Sequence, residues 1–128
     1  MRILLDTHTF LFAIFAPHVL PPRLTAILLN PDTERWVSAV SHWEIAVKVQ
    51  IGKLNAPSDP AFYVRHLERL QAKTLPLELP HSLQLYRLPL HHKDPFDRLL
   101  ISQAMVENLT LASRDKDFAA YPVQQIWE

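Results

Sequence analysis

Four acidic residues stand out by their position relative to apolar segments. Asp6 ends the run RILLD, Glu44 follows RWVS within SHWE, Asp97 lies in DPFDR, and Asp115 comes just after LTLAS. Several carboxylates brought into one partly desolvated cleft repel each other, and they take up protons unless divalent cations neutralise them. Magnesium or manganese suits a set made only of oxygen donors. Such an ion keeps several waters and so leaves positions for a phosphate oxygen and an attacking hydroxide. The chemistry that four gathered carboxylates support is hydrolysis of a phosphodiester.

Each acid taken singly has a plainer explanation. SHWE at 41–44 and DPFD at 94–97 both have the form of a helix capping box, in which a side-chain oxygen and an acid three places on satisfy free backbone N–H groups. Asp6 is placed to cap a helix, and Asp115 with Asp117 to form a solvated turn. Capping does not require that all four acids meet at one edge of a sheet. The order of the elements does.

Residues 2–6 read as a buried strand, 8–16 as a helix, the stretch after Pro21 and Pro22 as a second helix to Leu29, and 35–38 as a strand. Ser41 opens a helix through Ile51 that Gly52, the only glycine, closes as a left-handed cap. Helices at 60–71 and 80–87 flank a short strand at 74–77, which Pro76 weakens. Asp94 and Pro95 start a helix to about Glu107, and LTLAS at 109–113 and VQQIW at 123–127 are the last strands. Strands alternating with helical segments predict an α/β fold with a parallel sheet covered on both faces. Its ligand site then lies at the carboxyl ends of the strands.

The neighbours of the acids divide between chemistry and support. Thr7 is placed either to hydrogen-bond a metal-held water or phosphate, or to cap the first helix. Lys48, one turn after Glu44, reads as its helical salt-bridge partner. Lys93, Arg98, Arg114 and Lys116 flank two of the acids, where cations contact phosphates or balance local charge. The seven histidines show no pair with helical metal-ligand spacing, and His91 with His92 falls in a loop, so zinc is not expected. Phe10, Leu11, Phe12, Ile14 and Phe15, with Leu24, Ile27, Leu28 and Leu29, make the first two helices apolar around more than one face. Most of that surface is core, and the remainder suits a partner helix.

Composition removes several classes of function. With 128 residues the chain suits a single domain, 1–128. Thirteen basic and thirteen acidic side chains cancel, so nucleic-acid binding has to use a local patch. No cysteine is present, which excludes disulfides and thiol chemistry and makes the cytoplasm the default location. The apolar run FLFAIFA at 10–16 falls far short of the roughly 20 residues that span a membrane. One glycine cannot build a Walker A loop or a dinucleotide fingerprint.

Four segments, LLDTHTFL, SAVSHWEIAVKVQIGKL, HHKDPFDRLLISQAM and LASRDKDFAAY, together resemble in order the PIN domains of VapC toxins, over nearly the whole chain. The resemblance implies a three-layer α/β/α sandwich with a parallel five-stranded sheet, and a magnesium-dependent endoribonuclease acting as the toxin of a VapBC-like toxin-antitoxin pair. Asp6, Glu44, Asp97 and Asp115 would be its catalytic, metal-binding quartet. Asp115 is preferred to Asp117 because it lies closer to the strand end and follows Ser113. The implied partners are an RNA substrate, a cognate antitoxin whose C-terminal segment fills the apolar groove, and a second copy of the chain in a homodimer. Two rival phosphoryl-transfer classes fit poorly. A haloacid dehalogenase needs a second Asp where His8 stands, and a receiver domain needs its acceptor after a central strand, whereas Asp59 follows NAPS. The remaining rival is a catalytically silent PIN fold that binds RNA or protein.

Overall fold

The apolar runs pair as strands and the segments between them fold back as helices, throughout a computed structural model that describes all residues from Met1 to Glu128. Strand β1 (Arg2–Leu5) is followed by α1 (Thr7–Phe15) and α2 (Pro22–Leu29), then β2 (Glu34–Ser38), α3 (Ala39–Gln50) and α4 (Pro60–Leu70). Strand β3 (Ala72–Leu75), α5 (Leu79–Gln84), α6 (Pro95–Glu107), β4 (Thr110–Ala112) and β5 (Gln125–Ile126) complete the chain. Short 3-10 turns occupy Pro17–Val19, Leu85–Arg87 and Lys116–Ala120.

All four strand pairings are parallel, in the order β3-β2-β1-β4-β5. The chain builds outward from β1 in one direction through β2 and β3, then restarts on its other side with β4 and β5. The switch point therefore lies between β1 and β4, where Leu5 is in register with Ala112. Alternate side chains of β1 supply two cores. Ile3 and Leu5 pack with Phe10, Leu24, Val37 and Ile45 on the face covered by α1 to α4. Leu4 packs with Ile101, Leu111 and Phe118 on the face covered by α6. The result is the expected three-layer sandwich with a five-stranded parallel sheet.

Two local expectations need correction. Helix α3 begins at Ala39, with Ser38 rather than Ser41 as its N-cap, because Ser38 is already the last residue of β2 and its hydroxyl accepts from Val40 N–H at 3.0 Å. Strand β3 lies at Ala72–Leu75 and not at 74–77, since Pro76 has no N–H to give to the ladder. It starts early because Gln71 takes a left-handed conformation (φ 53°) that ends α4 without a glycine. Gly52, at φ +76°, closes α3 as expected.

Candidate metal centre

Asp6 is held at the sheet edge because its backbone N–H extends the ladder onto Ala112 O at 3.0 Å. Its Oδ1 caps α1 by accepting from Thr9 N–H at 2.8 Å. The residue is only 3% exposed. Burial raises its pKa, with the neighbouring Ser113 hydroxyl and the Thr9 hydrogen bond acting in the opposite direction. Capping is thus a true account of one Asp6 oxygen and not of its burial.

Glu44 lies in the second turn of α3, so SHWE is not a capping box. Its side chain turns inward and is 2% exposed. The Thr7 hydroxyl donates to Glu44 Oε1 at 2.7 Å and sits 3.0 Å from Ser41 Oγ, while Lys48 Nζ pairs with Oε2. Thr7 is not the cap of α1, since Asp6 is, and its hydroxyl orients Glu44. Lys48 is the salt-bridge partner that the spacing suggests.

Asp97 is the third residue of α6. Asp94 caps that helix, accepting from Phe96 N–H at 2.8 Å and Asp97 N–H at 3.2 Å. The reciprocal bond of a capping box is missing, because Asp94 N–H donates instead to His92 Nδ1 at 3.2 Å. The Asp97 carboxyl is left facing the other acids. Burial, then the charges of Asp94 and Glu44, push its pKa up to about 7, with a smaller contribution from Asp6 and opposition from His92.

Asp115 caps the 3-10 turn Lys116–Ala120 through Oδ1, which accepts from Asp117 N–H at 2.9 Å. Its Oδ2 points toward the cleft, 3.2 Å from His92 Nε2, and Asp97 Oδ2 lies 3.3 Å from the same nitrogen. Asp117 is exposed, with a carboxylate oxygen within 4.8 Å of the ligand atoms of His92 and Asp115. Asp97 feels the charges of Glu44 and, more weakly, of Asp6, and it shares the His92 imidazole with Asp115, so it is the acid that links the other three.

His92 is the residue that sequence reasoning missed. Its signal lay in position, two residues before a helix N-cap and inside a segment already singled out. The search for helical pairs of metal-ligating histidines could not see it. Arg98 is a correction of another kind. Its guanidinium donates to Pro89 O at 2.9 Å and to Tyr121 Oη at 3.3 Å, bracing the loop before α6 rather than facing a phosphate. Arg114, Lys116 and Lys93 are exposed, and the Arg114 guanidinium lies 4.7 Å from the Phe12 ring centroid. A cleft of about 320 Å³ opens beside Glu44 and is lined also by Thr7, His8, Lys48 and Lys53. A more apolar cavity of about 350 Å³, lined by His42, Val49, Tyr63, Val64 and Leu67, lies between α3 and α4.

A five-stranded parallel sheet in the order β3-β2-β1-β4-β5, with acids at the carboxyl ends of its central strands, defines an α/β fold with one acidic cleft at its switch point. A family model for the PIN domain matches residues 3–124, and the chain belongs to that family. The fold is similar to that of VapBC2 from Rickettsia felis bound to a promoter DNA fragment, at 18% identity and a TM-score of 0.73, covering 100% of both chains. It is also similar to DNA-bound VapBC from Salmonella typhimurium (14%, TM-score 0.72, 98% of this chain and 97% of that one). FitAcB from Neisseria gonorrhoeae matches at 22% and 0.65, covering 97% and 96%. No curated protein matches the chain in sequence.

Proposed function

We propose that this PIN domain is a magnesium- or manganese-dependent endoribonuclease, with Asp6, Glu44, Asp97 and Asp115 as both metal ligands and catalytic residues, acting in the cytoplasm as the toxin of a VapBC-like pair. The observation that carries the reading is the burial of Asp6 and Glu44 beside an Asp97 carboxyl whose pKa is pushed to about 7. One ammonium, Lys48, cannot balance that many carboxylates. An all-oxygen donor set of this kind fits a hard divalent cation. When bound, such an ion neutralises the cluster and lowers the pKa of a water.

The chain's own residues do the positioning. Thr7 and Lys48 fix the two oxygens of Glu44, Thr9 holds Asp6, and the start of α6 presents Asp97. Exposed Arg114 and Lys116 beside Asp115, with Lys53 beside Glu44, offer donors to the phosphates of an RNA strand. Cleavage of RNA is expected in magnesium or manganese and none in excess EDTA. Glu44→Gln and Asp97→Asn should abolish it while the protein stays folded. Undiminished cleavage with chelator present sinks the proposal, and a silent module would show little magnesium-dependent stabilisation.

The fold relatives are solved as VapBC complexes, which supports an antitoxin as partner. Much of the apolar surface expected on the first two helices is core, and Phe15 and Leu29 are what stays exposed there. Phe10 and Leu24 are fully buried there, and Leu11, Phe12, Ile14, Ile27 and Leu28 pack on the core. Phe15, stacked on Phe62, forms an open apolar surface together with Val64 and the cavity between α3 and α4. An amphipathic antitoxin helix lies there in the proposed complex. Val64→Glu should weaken co-purification with the antitoxin and leave cleavage intact. Equal binding by the folded variant moves the partner elsewhere. Leu79, Leu83, Tyr86 and Leu90, all more than half exposed, supply the apolar face for a second copy in the homodimer.

A further inference from the structure

His92, Asp115 and Asp117 place one ligand atom each within 4.8 Å of one another, a grouping that suggests a nitrogen-containing metal site next to the four acids. The hydrogen bonds of the imidazole point to something else. Asp94 N–H donates to His92 Nδ1 at 3.2 Å, so Nδ1 carries a lone pair and the ring proton is on Nε2. That Nε2–H faces Asp115 Oδ2 at 3.2 Å and Asp97 Oδ2 at 3.3 Å, both of them acceptors. Coordination through Nε2 would require the opposite tautomer. It would place Nδ1–H against Asp94 N–H, donor against donor, at the N-cap of α6.

The rest of the surroundings hold the ring in this orientation. His92 N–H donates to Tyr121 Oη at 2.7 Å, and the ring packs against Phe118 with centroids 5.7 Å apart. Tyr121 Oη also accepts from His91 N–H and from Arg98. The backbone on both sides of the imidazole is therefore tied to α6 and to the turn after β4, the two elements that carry Asp97 and Asp115.

We propose that His92 is a positioning residue that remains outside the metal's coordination shell, donating Nε2–H to Asp115 with Asp97 Oδ2 beside the same N–H, and setting the separation of these two carboxylates across the cleft. This rests on the metal-site reading above and assigns within it a residue that bonds ligands and not metal. A donor in this position orients the ligand oxygens, and its removal is expected to weaken metal affinity roughly 10- to 100-fold.

The test uses the full chain with ¹⁵N-labelled histidine and long-range proton–nitrogen correlation. His92 is expected as the Nε2–H tautomer without metal and to remain so when magnesium is added. An Nδ1–H tautomer in either state overturns the proposal. By calorimetry His92→Phe, which keeps a ring against Phe118, should bind magnesium roughly 10- to 100-fold more weakly. His92→Gln, which places an amide N–H near the Nε2 position, should recover part of that loss. A His92→Phe protein that is folded and binds as tightly as wild type also overturns it. If wild-type protein binds no magnesium, the metal-site reading fails by itself. The carboxyl ¹³C resonances of Asp97 and Asp115 still decide the role of His92, since both should move in metal-free His92→Phe and unmoved resonances refute it.

Discussion

Asp97 carries opposing electrostatic effects that can be weighed. Its place in the first turn of α6 favours a negative charge by about 0.3 to 1 kcal/mol. Burial with Asp94 and Glu44 acts the other way, and a rise from 3.8 to about 7 corresponds to a few kcal/mol. The second effect wins. Between these two pKa values the folded state holds a proton that the unfolded chain has lost, so the contribution is complete below about pH 4 and disappears as pH rises through 7. Metal-free Asp97→Asn, which does not ionise, should therefore melt above wild type at pH 8 and lose the decline between pH 4 and 7. Magnesium should reverse the ranking by stabilising wild type more. Melts at several pH values, with and without magnesium, check both signs, and a metal-free variant less stable at pH 8 would mean that the favourable helix-terminal charge of Asp97 outweighs its repulsion by the other acids. The four acids were legible because strand ends and proline-initiated helices are strong local signals. Their supporting residues were less so: the link from Thr7 to Glu44 crosses 37 positions and leaves no mark in either neighbourhood.

At the scale of elements, the site depends on how α3 meets α6. Ser38 caps α3 and its hydroxyl also bonds Gln103 Oε1 at 2.5 Å, with both side chains fully buried. Trp43 of α3 packs edge-on against Phe96 of α6, centroids 4.8 Å apart, on the same junction. Ser38→Ala removes a cap and strands a buried amide oxygen, and should cost about 2 kcal/mol. Urea unfolding measures it, and a change under about 0.5 kcal/mol would mean that the amide finds another partner. The same junction explains the misplaced start of α3. Ser38 and Ser41 both suit an N-cap, and Glu44 three places after Ser41 tipped the choice toward the wrong one. Only the β2 register, which pairs Ser38 with Leu75, settles that the helix follows the strand without a linking residue. Likewise the left-handed Gln71 that ends α4 has none of the usual residue signals, whereas Asn108, which ends α6 at φ 55°, has one.

Over the whole molecule, net charge is zero but the charge is unevenly placed. Arg23, Arg114 and Lys116 line one open cleft with Trp127, close to Asp115, and none of the three forms a salt bridge with an acid. If an RNA strand passes here, Arg114→Ala and Lys116→Ala should each weaken binding of uncleaved RNA and lower the salt slope by about one. Unchanged slopes in both variants would move the strand to the Lys48 and Lys53 side. Sequence counts gave the balance of charge and not this arrangement, because Arg23 joins the patch only through the packing of α2.

The central position of β1 also governs when the cleft comes into being. Thr9 Oγ1 donates to Ala112 O across 103 positions, and Asp6 depends on the same late-arriving strand. Pairings so distant in sequence form slowly and late in folding. A chain emerging from the ribosome carries Asp6 and Glu44 long before α6 and β4 arrive to complete the set around them. The acidic centre is thus complete only once the β1–β4 seam has closed, and under the proposed function a nascent or truncated chain that stops short of that seam would leave the RNA around it uncut.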